Sequence, residues 1–178
     1  MMQSLSERGL AAVVLALALA LGATPVAGQH EEHSPYAGAG SQQVQTLTAD
    51  EVAALLEGQG MGLARAAELN GYPGPRHVLD LADSLGLTAD QRERTQSAFD
   101  AMQSRAAELG RSILEREQAL DAGFADGADA AALEAQVAEI ARLRGELRWT
   151  HLRAHLAVAT ILTRHQRHTY DRLRGYGH

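Results

Sequence analysis

From Ala130 to Thr163 apolar residues return at steps of three and four: Leu133, Val137, Ile140, Leu143, Leu147, Val158 and Ile161, with Ala154 in the same row. That spacing is one stripe of an α-helix and predicts a long, core-facing helix. His151 falls inside the stripe where an apolar residue is due, and His155 follows it at i+4. A second stripe, Phe99, Met102, Ala106, Leu109, Ile113, Leu120 and Phe124, predicts a helix from about Ala89 to about Phe124 in spite of Gly110 in its middle. Asp126-Gly127 is the turn signal between the two, and Asp129 offers an N-cap for the later helix. Two helices of about 35 residues joined so closely must run antiparallel, each about 50 Å long.

Three pentapeptides punctuate the chain: Leu47 to Glu51, Leu87 to Gln91 and Leu162 to Gln166. In each, a Thr is followed three residues later by Glu or Gln, the pattern of a capping box that starts a helix. Leu47 and Val52 add a hydrophobic staple to the first. Short helices are expected after Thr48, from Met61 to Leu69, and from Arg76 to Leu85, stopped by Gly58-Gln59-Gly60, Asn70-Gly71 and Gly86. Tyr72-Pro73-Gly74-Pro75 reads as a turn. A last helix, Arg164 to Arg174, carries Tyr170 and Leu173 and closes at Gly175. No segment alternates with period two, so the expected fold is all-α: a long antiparallel helical hairpin with short flanking helices. Trp149, Leu152, Leu156 and Ala159 lie on the side of the organising helix away from its main stripe, a second apolar face that either the short helices or a second copy of the chain must cover.

Before these elements, Arg8 precedes an apolar run from Leu10 to Leu21, followed by Pro25 and Val26-Ala27-Gly28. This reads as a signal peptide over residues 1–28, cleaved before Gln29, since the run is shorter than the ~20 residues of a membrane-spanning helix; the other reading is an uncleaved membrane anchor. Residues 29–46 have the composition of a flexible arm, and 47–176 form one helical domain. The chain has no Cys, which excludes disulfides, thiol catalysis and thiolate metal sites. From Gln29 to Ala130 there are 7 Arg against 17 Asp and Glu, and from Ala131 to His178 8 Arg against 4. An acidic part therefore precedes a basic one, and the two attract when packed.

Two L-T-x-x-Q pentapeptides, Leu87-Thr88-Ala89-Asp90-Gln91 and Leu162-Thr163-Arg164-His165-Gln166, at the two ends of a helical hairpin behind a signal peptide, resemble the Spy/CpxP family of periplasmic stress proteins, which also takes in zinc-resistance-associated and heavy-metal-sensor proteins. The resemblance extends from about Leu47 to Tyr176. It implies a four-helix protomer, a cradle-like antiparallel homodimer, and ATP-independent holding of unfolded clients on the concave face. It makes Leu87, Thr88, Gln91, Leu162, Thr163 and Gln166 structural, the threonines capping and the glutamines closing the box. Two departures stand out. The expected basic surface is available only from Arg142, Arg144, Arg148, Arg153, Arg164 and Arg167 in the C-terminal part. Arg164-His165 also places positive charge at a helix N-terminus, against the helix dipole.

The candidate chemistry is confined to histidines. His151 with His155, and His30 with His33, have the spacing of paired metal ligands, and imidazole suits Zn, Ni, Co or Cu. The other reading of His151 and His155 is a polar seam hydrogen-bonded across the hairpin or a dimer, and of His30 and His33 a solvated arm. His165 and His168 are expected to be exposed. Leu152 follows His151 where a zinc protease needs Glu. With no Cys or Lys nucleophile and no strand-borne phosphate loop, no enzyme is expected. The acidic balance argues against nucleic acid. The expected function is a periplasmic chaperone with no required cofactor, with Trp149, Leu152, Leu156, Arg142, Arg144, Arg148 and Arg153 as its client or dimer surface. The alternatives are a heavy-metal-binding sensor or resistance protein and a regulatory module for the periplasmic domain of an envelope sensor.

Overall fold

The computed structural model describes residues 44–176 of the 178-residue chain. The expected signal peptide, His30 and His33 lie outside them. Six helices follow in order: α1 (Ala49–Leu56), α2 (Arg65–Glu68), α3 (Pro75–Asp80), α4 (Ala89–Ala125), α5 (Ala130–Ile161) and α6 (Arg164–Leu173). Helix accounts for 73% of the described residues, and no strand occurs among them. All three expected capping boxes form, at Thr48, Thr88 and Thr163, and Asp129 caps α5 by accepting from the Ala132 amide at 2.8 Å. Local side-chain acceptors thus set four of the six starts, each meeting an amide that the helix itself leaves free.

Several boundaries differ from expectation. α2 is a single turn rather than Met61 to Leu69, because Met61 and Gly62 take φ of +42° and +75°, outside the helical region. α3 starts at Pro75 and ends at Asp80, and turns carry the chain from there to Gly86. α5 stops at Ile161, leaving Leu162 as a link and Thr163 as the cap of α6. Near the tip of the hairpin the expected stripes are not covered: Phe124 is 65% and Val137 52% exposed. The flanking helices pack elsewhere along the hairpin, so these two residues have only each other's helix to lean on.

The core comes in two clusters. One joins Ala106, Leu109, Ile113 and Leu114 of α4 to Leu143 and Leu147 of α5, capped by Leu55 of α1 and by Val44 and Leu47. Val44, in the stretch expected to be a flexible arm, is fully buried there. Thr46 and Arg144 both donate to Glu117, at 3.2 and 2.7 Å, so a buried α4 carboxylate ties the N-terminal segment to α5. Gly110 makes this packing possible. A Cβ on it would stand 2.0 Å from the Leu55 carbonyl oxygen, so α1 crosses α4 where one residue has no side chain. The second cluster gathers Val78, Ala82, Leu85 and Leu87 with Val158, Leu162 and Tyr170 at the other end.

Candidate functional site

The two pentapeptides meet in space. In each, Thr Oγ1 accepts from the Gln amide three residues on, and the Gln side chain accepts from the Thr amide, at 3.1 Å for Thr88 and 2.9 Å for Thr163. The two side-chain amides then pair with each other: Gln91 Nε2 donates to Gln166 Oε1 and Gln166 Nε2 to Gln91 Oε1, both at 2.9 Å. Their second N–H groups reach backbone carbonyls, Ile161 for Gln91 at 2.9 Å and Leu85 for Gln166 at 3.3 Å. A primary amide carries two donors and an acceptor oxygen with two lone pairs, and here all of these are used. The expectation that the glutamines close capping boxes holds, and each box also closes the other.

Against the second apolar cluster, on Tyr170, lies a buried carboxylate that sequence reasoning did not single out. Glu68 Oε1 accepts from the hydroxyl of Tyr170, which is fully buried, and from that of Tyr176 at 3.1 Å; Oε2 accepts from the Gly74 amide at 3.0 Å. Arg174 Nε and His77 Nδ1 stand 3.7 and 3.4 Å from Oε1, and His155 Nδ1 stands 3.6 Å from Oε2. Gly74 permits the approach, since a Cβ there would lie 3.0 Å from the His155 ring. Glu68 thus joins α2, the turn before α3, α5 and the C-terminal segment. Burial, with Glu68 next, pushes the Tyr170 hydroxyl far above the ordinary phenol range.

His151 and His155 are both buried, in neighbouring turns of α5. His155 Nδ1 lies 2.7 Å from the Tyr72 carbonyl oxygen; because a carbonyl only accepts, Nδ1 carries the proton. His151, 2% exposed, has no hydrogen-bond partner at Nε2. Burial and the neighbouring His155 hold its pKa below the usual histidine value. His155 is thus hydrogen-bonded, but to the turn before α3 rather than across the hairpin, whereas Nε2 of His151 is left without a partner among the described residues. Among the described residues no group of three or more His, Asp or Glu is placed to hold one metal ion. His165 and His168 are exposed.

The outer face of α5 is bare: Trp149 is 53% and Leu156 42% exposed, with Leu152 half-buried between them. The short helices do not cover this row. Of the arginines expected to make a basic surface, Arg142 is paired with Glu139 and Glu146 and Arg144 with Glu117, while Arg148 and Arg153 flank the row with no carboxylate partner among the described residues.

Against known proteins, the family described as LTXXQ motif family protein matches residues 75–174, more than half of the chain and a span that holds both interlocked pentapeptides. The chain belongs to the LTXXQ motif family. This is the family that defines Spy/CpxP-like proteins, whose members are typically secreted to the periplasm. No curated protein and no solved structure matched. In this LTXXQ protein no helix among the described residues is long and apolar enough to cross a membrane. The matched span begins at Pro75, so Glu68 lies before it. Nor does Glu68 carry a local signal: it is one Glu in an alanine-rich turn, and its partners Tyr170 and Tyr176 follow 102 and 108 residues later.

Proposed function

We propose that this LTXXQ protein is an ATP-independent periplasmic chaperone that holds unfolded or misfolded clients against the outer face of α5, and that it works as a homodimer. The observation that supports this is the row Trp149, Leu152 and Leu156, large apolar side chains on successive turns of a helix whose other face is already packed. Soluble domains rarely leave such a row bare unless something docks on it. Apolar contact is non-directional, which suits clients of no fixed sequence, and Arg148 and Arg153 add attraction for acidic segments. The reading assigns no catalysis and requires no cofactor.

The test is suppression of aggregation of a chemically unfolded client, followed by light scattering, with the protein's own mass measured in parallel. Wild type should suppress aggregation, and Trp149→Glu with Leu156→Glu should remove most of that activity, because each places a carboxylate in the apolar row. A fall in mass with the same substitutions marks the row as the protomer contact as well. If the double variant keeps both its activity and its mass, the outer face of α5 is not the working surface.

The metal-binding alternative rests on His151 and His155. These two supply at most a pair of ligands where zinc ordinarily takes four, so the described residues do not fit a closed site. Further ligands would have to come from His30 and His33, from a carboxylate, or from the same pair on a second protomer. Calorimetry with Zn(II) at pH 7.5, on wild type and on His151→Ala with His155→Ala, decides it: no uptake by the full-length mature protein removes this reading.

A further inference from the structure

A groove of about 910 Å³ opens on the face of the hairpin that carries the short helices, walled by the loop after α1, by α2 and α3, by the middle of α4 and by His151 and His155 of α5. It is separate from the client row. At about 100° per residue, His151 lies about 200° around α5 from Trp149. Its size is at the upper end of the ~300–1,000 Å³ common for small-ligand sites.

The lining is divided in chemistry. Met61, Leu69, Phe99 and Met102 give it an apolar part, and Met61 and Leu69 are large apolar side chains left well exposed at the groove. The methionines are flexible and polarisable, which suits a pliable aliphatic body better than a rigid one. The polar part is positive. Arg65, Arg76 and Arg174 line the groove with, among the described residues, two carboxylates, Glu57 and Glu68. Glu68 is already held by two hydroxyls and the Gly74 amide, and Glu57 accepts from Gln59 at 2.7 Å. Arg65 and Arg76 have no carboxylate partner among the described residues, and Arg76 lies over the Phe99 ring at 5.9 Å. His151 forms part of the wall with its Nε2 unpartnered.

We infer that this groove binds a medium-chain aliphatic carboxylate, its carboxylate on Arg65 and Arg76 and its chain against Met61, Leu69 and Met102. Two guanidiniums with no counter-ion among the described residues favour an anion, and the apolar lining requires that the anion carry a hydrocarbon body. An inorganic anion leaves the methionines bare, and a neutral alcohol leaves the guanidiniums unpaired.

The experiment is calorimetric titration of the full-length mature protein with decanoate below its micelle concentration, with decanol and acetate as arms that keep only the body or only the charge. Decanoate should bind, with decanol and acetate at least tenfold weaker. Arg65→Gln with Arg76→Gln should weaken decanoate at least tenfold; both residues are exposed, so circular dichroism and the melting temperature should match wild type. Client holding should be unchanged in that variant, which separates this site from the outer face of α5. No heat with decanoate overturns the inference. So does equal affinity for decanol, undiminished binding in the arginine variant, or binding lost on Trp149→Glu instead.

Discussion

Removing the Glu68 carboxylate should be among the most damaging single changes to this protein. In Glu68→Leu the Tyr170 hydroxyl and the Gly74 amide, both buried, lose their acceptor, while the Tyr176 hydroxyl is only half-buried and can turn to water. Each orphaned buried donor costs about 1–3 kcal/mol, so the two together cost about 2–6 kcal/mol. Part of this is returned because a carboxylate no longer has to be desolvated, which puts the net near 3 kcal/mol. Glu68→Gln keeps one oxygen and so orphans one side of the node, for about 1–3 kcal/mol. The decisive comparison is a double-mutant cycle with Tyr170→Phe. If the hydroxyl matters because Glu68 receives it, Tyr170→Phe should be costly in wild type and close to neutral once Glu68 is Leu. Urea unfolding, followed by helical circular dichroism and Trp149 fluorescence, gives all four stabilities. A Glu68→Leu variant within about 0.5 kcal/mol of wild type, or a Tyr170→Phe cost that is the same in both backgrounds, would show that the node does not hold the C-terminal segment.

Thr88→Ala and Thr163→Ala should each lower stability by about 0.5–2 kcal/mol, the ordinary loss of an N-cap, measured by urea midpoint. Gln91→Leu and Gln166→Leu should each cost more than the threonine changes, and the double variant less than their sum by about 1 kcal/mol, because the two amides bond to each other. Gly110→Ala tests two opposed effects: helix propensity favours Ala by about 1 kcal/mol, but the new Cβ meets the Leu55 carbonyl at 2.0 Å. Overpacking against backbone should win, for a net loss of about 1–3 kcal/mol, and a raised melting temperature would mean that α1 gives way freely. His151, whose pKa is depressed in the fold, favours the neutral ring there, so its stabilisation is intact above the ordinary value of 6.5 and is lost progressively as pH falls from there through the lower folded value. Urea midpoints at pH 7.5, 6.5 and 5.5 should decline for wild type and decline less for His151→Leu.

The helices were legible because their signals are local. A cap acts over three residues and a stripe over four, so the three capping boxes, the Asp129 cap, the single turn at Asp126-Gly127 and the two long helices could be read from neighbours in the chain. The glutamines of the two pentapeptides were readable for the same reason, as partners of Thr88 and Thr163.

Their pairing was not, because Gln91 and Gln166 are 75 residues apart and either would close its own box without the other. Gly110 looked like a flaw in a helical stripe, and became the place where α1 crosses only once Leu55 lay on it. His151 and His155 share one helix face in the pattern, yet His155 met the Tyr72 carbonyl while Nε2 of His151 met no partner among the described residues. Trp149 and Leu156 were placed on a second face by periodicity, but only the packing of the short helices elsewhere left them bare. The sequence alone thus determined which segments are helical and where the four capped helices begin, since hydrogen bonds within a turn decide that. Tertiary structure alone decided which polar groups are buried together, above all at Glu68, because desolvation makes a buried carboxylate take whatever donors the folded chain brings to it.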